Sequence, residues 1–308
     1  MVNAYCDLQV NGYAGVDFND AALTADALDH ALAAMRDGGV TTCLPTLITA
    51  PADVLQARLG ALDTAVAHSR LGPAMVPGFH LEGPFLSPAA GFAGCHPVNA
   101  MLDPDPAALA RWTAGLRRPV LMLTLAPERP GGMALVRWAV AHGMVVAIGH
   151  ADAGTATVAE AVAAGATLST HLGNGLPQML PKFDNPLMAQ LGADGLAAGF
   201  IADGLHVPVP ALRAMIRAKG RHAILVTDAV AAAAAPPGRY QFAGMAITGA
   251  DDGSVRAGGT LAGSSLTMAQ AVRNVVAWGV CDAAAARAMA TEAPRRVLEP
   301  ALAWHRQH

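Results

Sequence analysis

Eight short segments rich in apolar and β-branched residues recur along the chain, separated by helix-like stretches. Two of these stretches, residues 21–39 and 131–143, are amphipathic, and several end in glycine, the usual residue after a helix. Repeated alternation of strand and helix predicts a parallel α/β barrel, the (β/α)8 TIM type, with helices outside. The predicted strands are residues 4–10, 40–46, 74–81, 120–126, 144–150, 166–171, 197–202 and 223–228.

The length of 308 residues suits one barrel of roughly 250 residues plus insertions, so we expect residues 1–308 to form a single domain. Residues 238–262, after the eighth strand, are punctuated by glycine and predict an antiparallel hairpin. The last residues, 304–308, are predicted to be a frayed terminus.

Composition and charge argue against several classes of protein. Hydrophobic residues make up 53% of the chain and charged residues 14%, so a large core can form. The net charge is −3 without a basic block, which argues against nucleic acid or a membrane as partner. We expect no signal peptide, because the N-terminus has no cationic head followed by an apolar run, and no membrane span, because no apolar stretch reaches roughly 18 residues. Cys6, Cys43, Cys95 and Cys281 lack Cys-x-x-Cys spacing and are typical of reduced thiols in a cytoplasmic protein.

The segment GFHLEGPFL, residues 78–86, places the carboxylate of Glu82 at the end of an apolar strand. Removing a carboxylate from water costs several kcal/mol unless it is paired or binds a metal. In an α/β barrel, functional groups collect at the C-terminal ends of the strands. The other polar residues at or just after predicted strand ends are Gln9, Asn11, His150, His171, Asp203, His206 and Asp228.

Glu82, His150 and His171 combine one carboxylate with two imidazoles, a ligand set that suits catalytic zinc or a similar divalent ion. Such a metal lowers the pKa of water toward about 7 and polarises a carbonyl group. Taken singly, the glutamate could be a helix cap or ion-pair partner, and each histidine a hydrogen-bonded structural residue. Together they predict one divalent metal ion, with zinc preferred and iron or cobalt as alternatives.

Four further residues are candidates for catalysis or substrate binding. Asp228, in LVTDAV, could act as general base and acid beside the metal, or could cap the next helix. His206 could hold the substrate or stabilise a developing oxyanion, or could lie in a surface loop. His96 and Asn174 follow the third and sixth strands and could contact a ligand, although Asn174 also suits a turn between glycines.

The motifs DLQVNGYAGVDFND, LPTLIT, HLEGPFL, THLGNG, IADGLH, LVTDA and GTLAGSSLTM follow one another over almost the whole chain. In this order they resemble the N-acetylglucosamine-6-phosphate deacetylases of the amidohydrolase superfamily. The resemblance implies a metal-dependent barrel that removes acetate from the sugar amide. It implies metal ligation by Glu82, His150 and His171, acid/base catalysis by Asp228, and a substrate pocket containing His206, His96, Asn174 and Gly175.

Three features differ from the usual family pattern. Gln9-Val10-Asn11 stands where many amidohydrolases carry His-x-His for a second metal, so the resemblance implies one ion. The chain starts close to the first strand, so we expect the small flanking β-sandwich of the family to be missing or vestigial. The family's phosphate-binding arginine is not found in NGLPQMLPKFDNPL, where Lys182 offers a point charge without the arginine fork.

These observations lead to three functional hypotheses. The first is hydrolysis of N-acetylglucosamine 6-phosphate to glucosamine 6-phosphate and acetate. The second, motivated by the missing arginine, is deacylation of a related N-acyl amine without phosphate. The third is a non-catalytic relative that binds a sugar. The expected partner is a small acetylated amino sugar, and the resemblance implies a homodimer.

Overall fold

The computed structural model describes residues 4–308, which form fourteen strands and eleven α-helices. Numbered along the chain, the strands are β1 (Tyr5–Val10), β2 (Gly12–Tyr13), β3 (Val16–Asp17), β4 (Val40–Ile48), β5 (Phe79–Glu82), β6 (Val120–Leu125), β7 (Val145–Ile148), β8 (Leu168–Ser169), β9 (Ala197–Ile201), β10 (Ala223–Val226), β11 (Gly238–Phe242), β12 (Met245–Gly249), β13 (Val255–Ala257) and β14 (Thr260–Leu261). The helices are α1 (Ala25–Asp37), α2 (Ala52–His68), α3 (Gly72–Met75), α4 (Pro106–Thr113), α5 (Gly132–Ala141), α6 (Thr155–Ala163), α7 (Pro186–Gly192), α8 (Val209–Lys219), α9 (Met268–Ala277), α10 (Ala283–Ala290) and α11 (Glu292–Gln307).

One parallel sheet contains eight strands in the order β1, β4, β5, β6, β7, β8, β9, β10. Its two outer strands approach each other through single hydrogen bonds. The amide of Asp228 donates to the carbonyl of Gln9 at 3.0 Å, and the amide of Asn11 donates to that of Ala229 at 2.7 Å. The sheet is therefore almost closed into a barrel with helices in its connections, and the predicted fold class is confirmed.

All eight predicted strands are present, and most are shorter than their apolar segments. The strand predicted for residues 74–81 is wrong at its start, because Gly72–Met75 forms a helical turn, α3, and β5 begins at Phe79. The frayed terminus predicted for 304–308 is also wrong, because α11 continues to Gln307. Trp304 lies against Gly143, where an added Cβ would come within 2.6 Å of the indole, and this packing holds the last turn.

The predicted hairpin at 238–262 is present and larger than expected, since β11, β12, β13 and β14 form a four-stranded antiparallel sheet. Its inner face has its own apolar cluster, in which Phe242, Ile247 and Val255 pack with Ile48 and Val230 of the barrel. This contact fixes the sheet over the C-terminal ends of the barrel strands. Among residues 4–308, no helix has the length and hydropathy needed to cross a membrane.

Candidate active site

One cavity of about 420 Å³ lies at the C-terminal end of the barrel. Every residue proposed from the sequence as a metal ligand, acid/base or substrate contact lines this cavity. The loops after β5, β8 and β9 and the antiparallel sheet complete its wall. The proposed residues are Glu82, His96, His150, His171, Asn174, Gly175, His206 and Asp228.

Glu82, His150 and His171 form a group whose possible ligand atoms all lie within 4.8 Å of one another. Nε2 of His171 is 2.9 Å from Oε1 of Glu82, and Nε2 of His150 is 3.4 Å from the same oxygen. Glu82 is 2% exposed, and the two imidazoles are similarly buried. The three side chains come from the ends of β5, β7 and β8, so the barrel brings together residues that are far apart in sequence.

The ring of His150 is oriented by the loop after β5. Its Nδ1 lies 2.7 Å from the carbonyl oxygen of Phe92. Because a carbonyl only accepts, Nδ1 carries a proton, and Nε2 is the nitrogen that faces Glu82. Nε2 is buried and has no hydrogen-bond partner among the described residues. An unpartnered imidazole nitrogen beside a carboxylate and a second imidazole fits a divalent metal such as zinc.

Electrostatics at Glu82 and His171 agree with a cation site. Burial alone would raise the pKa of Glu82, but the contacts with His150 and His171 outweigh it and hold that pKa well below its ordinary value. Burial likewise opposes protonation of His171, yet its hydrogen bond with Glu82 raises its pKa. A positive charge is therefore favoured beside Glu82, and a divalent cation would supply it in place of the imidazole proton.

A layer of hydrogen-bonded side chains lies inside the barrel beneath Glu82. His80, two residues earlier on β5, is 3.1 Å from Oγ1 of Thr46 through Nδ1 and 2.8 Å from Oγ1 of Thr124 through Nε2. Thr124 in turn lies 2.6 Å from Oγ1 of Thr170. Burial lowers the pKa of His80 to about 4, so this imidazole is neutral and structural.

Asp228 follows β10 in a left-handed backbone conformation, with φ of 49°. In the described part of the chain no helix begins at this position, so the alternative role as a helix cap is wrong. Its Oδ1 accepts hydrogen bonds from Asn11 at 2.7 Å and from Gln9 at 3.2 Å. Burial, reinforced by the charge of Glu82, raises the pKa of Asp228 to about 6. A carboxyl with a pKa near neutrality can both take and return a proton.

His206 is held by a carboxylate that precedes it by three residues. Its Nδ1 is 2.6 Å from Oδ2 of Asp203, whose Oδ1 accepts from the backbone amides of Leu205 and His206 at 2.9 Å. The side chain of His206 is only 8% exposed, so its alternative assignment to a surface loop is wrong. Asp203 was noted in the sequence as a polar residue after a strand, but no role was predicted for it. Its short contact with Nδ1 of His206 shows that Asp203 orients the imidazole and leaves Nε2 free for a ligand.

His96 is buried, with Nδ1 3.0 Å from Oγ1 of Thr49 and Nε2 3.9 Å from Oε2 of Glu82. Burial lowers its pKa to about 3, so it is a neutral ring in the cavity wall. Asn174 donates to the carbonyl of His171 at 3.0 Å, which anchors the β8 loop next to the ligand group. Gly175 has φ of 62°, and a Cβ there would come within 2.5 Å of the His150 ring, so the residue lets the loop approach closely.

One side of the cavity is formed by the antiparallel sheet, and this was not predicted from the sequence. Phe242, Thr260 and Leu261 line the cavity opposite the β8 loop. Their segment was predicted as a hairpin, but alternation of apolar residues does not reveal which other element its inner face will cover. Their contribution depends on the tertiary contact with Ile48 and Val230.

The sequence matches no family model, but it is similar to curated proteins along most of its length. It is 32% identical to an N-acetylglucosamine-6-phosphate deacetylase of Lysinibacillus sphaericus, over 89% of this chain and 70% of that protein. It is 34% identical to an N-acetylgalactosamine-6-phosphate deacetylase of Escherichia coli O157:H7, over 96% of this chain and 77% of the relative.

Among solved structures, a point mutant of the N-acetyl-D-glucosamine-6-phosphate deacetylase from Mycobacterium smegmatis, in complex with N-acetyl-D-glucosamine-6-phosphate, superposes with a TM-score of 0.87. It is 31% identical, and the match covers 97% of this chain and 77% of that one. Fold, site and relatives together define an enzyme of the amidohydrolase class. Within that class, the chain belongs to the N-acetylglucosamine-6-phosphate deacetylase family.

Proposed function

We propose that this enzyme hydrolyses the N-acetyl amide of an amino sugar in a metal-dependent reaction, converting N-acetylglucosamine 6-phosphate to glucosamine 6-phosphate and acetate. The observation that carries the proposal is the buried group Glu82, His150 and His171 in the same cavity as Asp228. Relatives in two organisms are named for this deacetylation. The whole of residues 1–308 would act as one amidohydrolase domain.

In the proposed reaction, water attacks the acetyl carbon and the bond between that carbon and the sugar nitrogen breaks. Asp228 takes a proton from the attacking water and returns it to the departing amine, so acetate and a free amine result. His206, oriented by Asp203, contacts the acetyl or sugar oxygen and stabilises charge that develops there. His96, Asn174 and Gly175 would position the sugar.

We assign Glu82, His150 and His171 as ligands of a single metal ion, zinc in preference to iron or cobalt. Two histidines and one glutamate are a known catalytic zinc set. When bound, such an ion acidifies water and polarises the amide carbonyl. Gln9 and Asn11 support a single ion, because their amide groups are directed at Asp228 and carboxamides compete poorly with imidazole for zinc.

A second candidate substrate is an N-acylated amino sugar without phosphate. The observation that favours it is the cavity lining, which contains no lysine and no arginine among the described residues. Lys182 is exposed, with Nζ 5.4 Å from the centroid of the Phe183 ring. A phosphate in the cavity would depend on neutral donors, or on movement of Lys182 toward it.

We also infer a homodimer in the cytoplasm. Met179 and Phe183, in the β8 loop beside the cavity, are 86% and 70% exposed, and large apolar groups with such exposure are typical of a contact surface. All four cysteines are free, which suits a reducing compartment. Light scattering of the purified enzyme and of Phe183→Asp tests the dimer, which the substitution should weaken.

The test of function is acetate release from N-acetylglucosamine 6-phosphate and from N-acetylglucosamine, with the metal content measured in parallel. The main proposal predicts a much higher kcat/KM for the phosphorylated sugar, whereas the reverse order supports the second candidate. Asp228→Asn should nearly abolish turnover and keep the metal bound. Substantial activity of that variant would remove Asp228 from the mechanism.

A further inference from the structure

We infer that the carboxamides of Gln9 and Asn11 are positioning groups that hold the Asp228 carboxyl in the orientation needed for proton transfer. The inference rests on the proposed function, in which Asp228 moves the proton. Gln9 lies at the end of β1 and Asn11 just beyond it, and each is 1% exposed. Nδ2 of Asn11 and Nε2 of Gln9 both donate to Oδ1 of Asp228, at 2.7 Å and 3.2 Å.

The two hydrogen bonds make the oxygens of Asp228 unequal. Oδ1 accepts two N–H groups, which occupy its lone pairs and make it a poor proton acceptor. None of the hydrogen bonds made by residues 4–308 reaches Oδ2. The clamp on Oδ1 therefore presents Oδ2 as the oxygen that takes the proton from water and returns it to the amine.

The end of β1 also holds the backbone of Asp228. The amide of Asp228 donates to the carbonyl of Gln9 at 3.0 Å, and the amide of Asn11 donates to the carbonyl of Ala229 at 2.7 Å. The left-handed conformation of Asp228, with φ of 49°, is costly for a residue with a side chain and needs support from its surroundings. Gln9 therefore fixes both the backbone and the carboxyl of Asp228, while Asn11 fixes the carboxyl and the backbone of the next residue, Ala229.

The unpaired atom of Asn11 argues that its amide is not present for stability alone. Its Oδ1 is buried without a hydrogen-bond partner among the described residues. An unpaired buried acceptor is destabilising, and an apolar residue of similar shape would avoid the penalty. The reversed amide would place Oδ1 against the carboxylate of Asp228 and repel it, so Nδ2 is the atom that faces Asp228.

The neutral character of the two donors also suits an acid/base. A lysine in their place would form an ion pair and depress the pKa of Asp228 far below neutrality. An imidazole would add a ligand beside the metal group. Carboxamides fix the geometry of the carboxyl while leaving it able to gain and lose a proton near neutral pH.

The test measures kcat, KM and metal content for Asn11→Ala, Gln9→Ala and Asn11→Ser. We expect Asn11→Ala to lower kcat roughly 10- to 100-fold with KM changed less than about threefold, because misplacement of a reacting group affects the chemical step. Gln9→Ala should have a smaller effect, since its hydrogen bond is longer. Asn11→Ser, which keeps a donor, should recover part of kcat. Metal content should stay at one ion per chain throughout.

Two reference variants separate the possible outcomes. Gln190→Ala removes a buried amide that does not line the cavity and donates to the carbonyl of Pro186, so it should leave kcat unchanged. Asp228→Asn should be inactive; activity there would overturn the role of Asp228 and the inference with it. An inactive Asp228→Asn together with near-normal kcat in both alanine variants would overturn the inference alone. Loss of metal in parallel with kcat, or a rise in KM alone, would also contradict it. If Asn11→Ala does not fold, the kcat and KM of Gln9→Ala and Asn11→Ser test the inference in its place.

Discussion

Asp203→Asn is the substitution that most directly tests how the β9 loop supports the chemistry. Oδ1 of Asp203 accepts the backbone amides of Leu205 and His206, and an asparagine keeps this oxygen and both hydrogen bonds. The change is confined to Oδ2, which lies 2.6 Å from Nδ1 of His206. In the variant an NH2 group faces Nδ1, so the imidazole must present a lone pair there and carry its proton on Nε2.

The size of the effect follows from this single contact. A hydrogen bond to a charged group contributes about 1.5–3 kcal/mol, and since 1.36 kcal/mol is tenfold in rate, the loss corresponds to roughly 10- to 150-fold in kcat/KM. The carboxylate of Asp203 accepts from Nδ1 of His206, and this contact selects the ring orientation and the tautomer with a free Nε2. The contact is lost in the asparagine variant, so the imidazole is no longer held in place and kcat/KM should decrease.

The assay is acetate release by wild type, Asp203→Asn and a matched control, with metal content measured on the same samples. Asp252→Asn is the control, because Asp252 likewise accepts a backbone amide, that of Ser254 at 2.9 Å, but lies in the turn between β12 and β13. We expect the control to behave as wild type. Unchanged kcat/KM in Asp203→Asn, with the protein folded and the metal bound, would refute the role assigned to Asp203 and His206.

Three further outcomes are expected. Burial raises the pKa of Asp228 to about 6, and a bound cation would lower it, so kcat/KM should fall on acidification only at or below pH 6. A pH–rate profile in which kcat/KM already falls on acidification above pH 7 would contradict this. Burial raises the pKa of Asp7 to about 7, so Asp7 should take up a proton when the chain folds between pH 4 and 7, and the free energy of unfolding should decrease over that range. In urea unfolding experiments, Asp7→Asn should lack this part of the pH dependence. Lys219→Met removes three hydrogen bonds from Nζ to the carbonyls of Gln190, in the last turn of α7, and of Ala193 and Leu196 just beyond it; the substitution should cost about 1–3 kcal/mol in unfolding experiments while kcat is kept.

The barrel could be predicted because its strands are local in sequence and their order follows from the alternation with helices. Once the strands are parallel, position at a strand end becomes proximity in space, so Glu82, His150 and His171 could be grouped without coordinates. Strand limits were less accurate. The residues before Phe79 are apolar and suit a strand, but Pro73 stands at the start of α3, where proline favours a helical turn.

The orientation of the side chains could not be predicted. His150, His171 and Asp228 have φ of 51°, 25° and 49°, a region that is uncommon for residues with a side chain, and no sequence pattern indicates where along the chain it will occur. The carbonyl of Phe92 selects the tautomer of His150, and any residue could supply that carbonyl. The last turn of α11 was predicted to be frayed because its polar residues are exposed, whereas in the structure Trp304 packs against Gly143 there.

The charges at this end of the barrel give an independent argument for a cation. Glu82, Asp228 and Asp7 are buried carboxyls. Burial raises the pKa of Asp228 and of Asp7, and the charge of Glu82 adds to the shift of Asp228 as the charge of Asp228 adds to that of Asp7. No lysine or arginine among the described residues lines the cavity to balance them. A divalent ion at Glu82 would offset this repulsion, lower the pKa of Asp228 and so keep it deprotonated at neutral pH.

Metal binding should therefore both stabilise the fold and keep Asp228 ready to act as a base. Removal of the ion should lower Tm most at high pH, where all three carboxyls are charged. A shift in Tm that is the same at pH 6 and pH 8 would contradict this coupling.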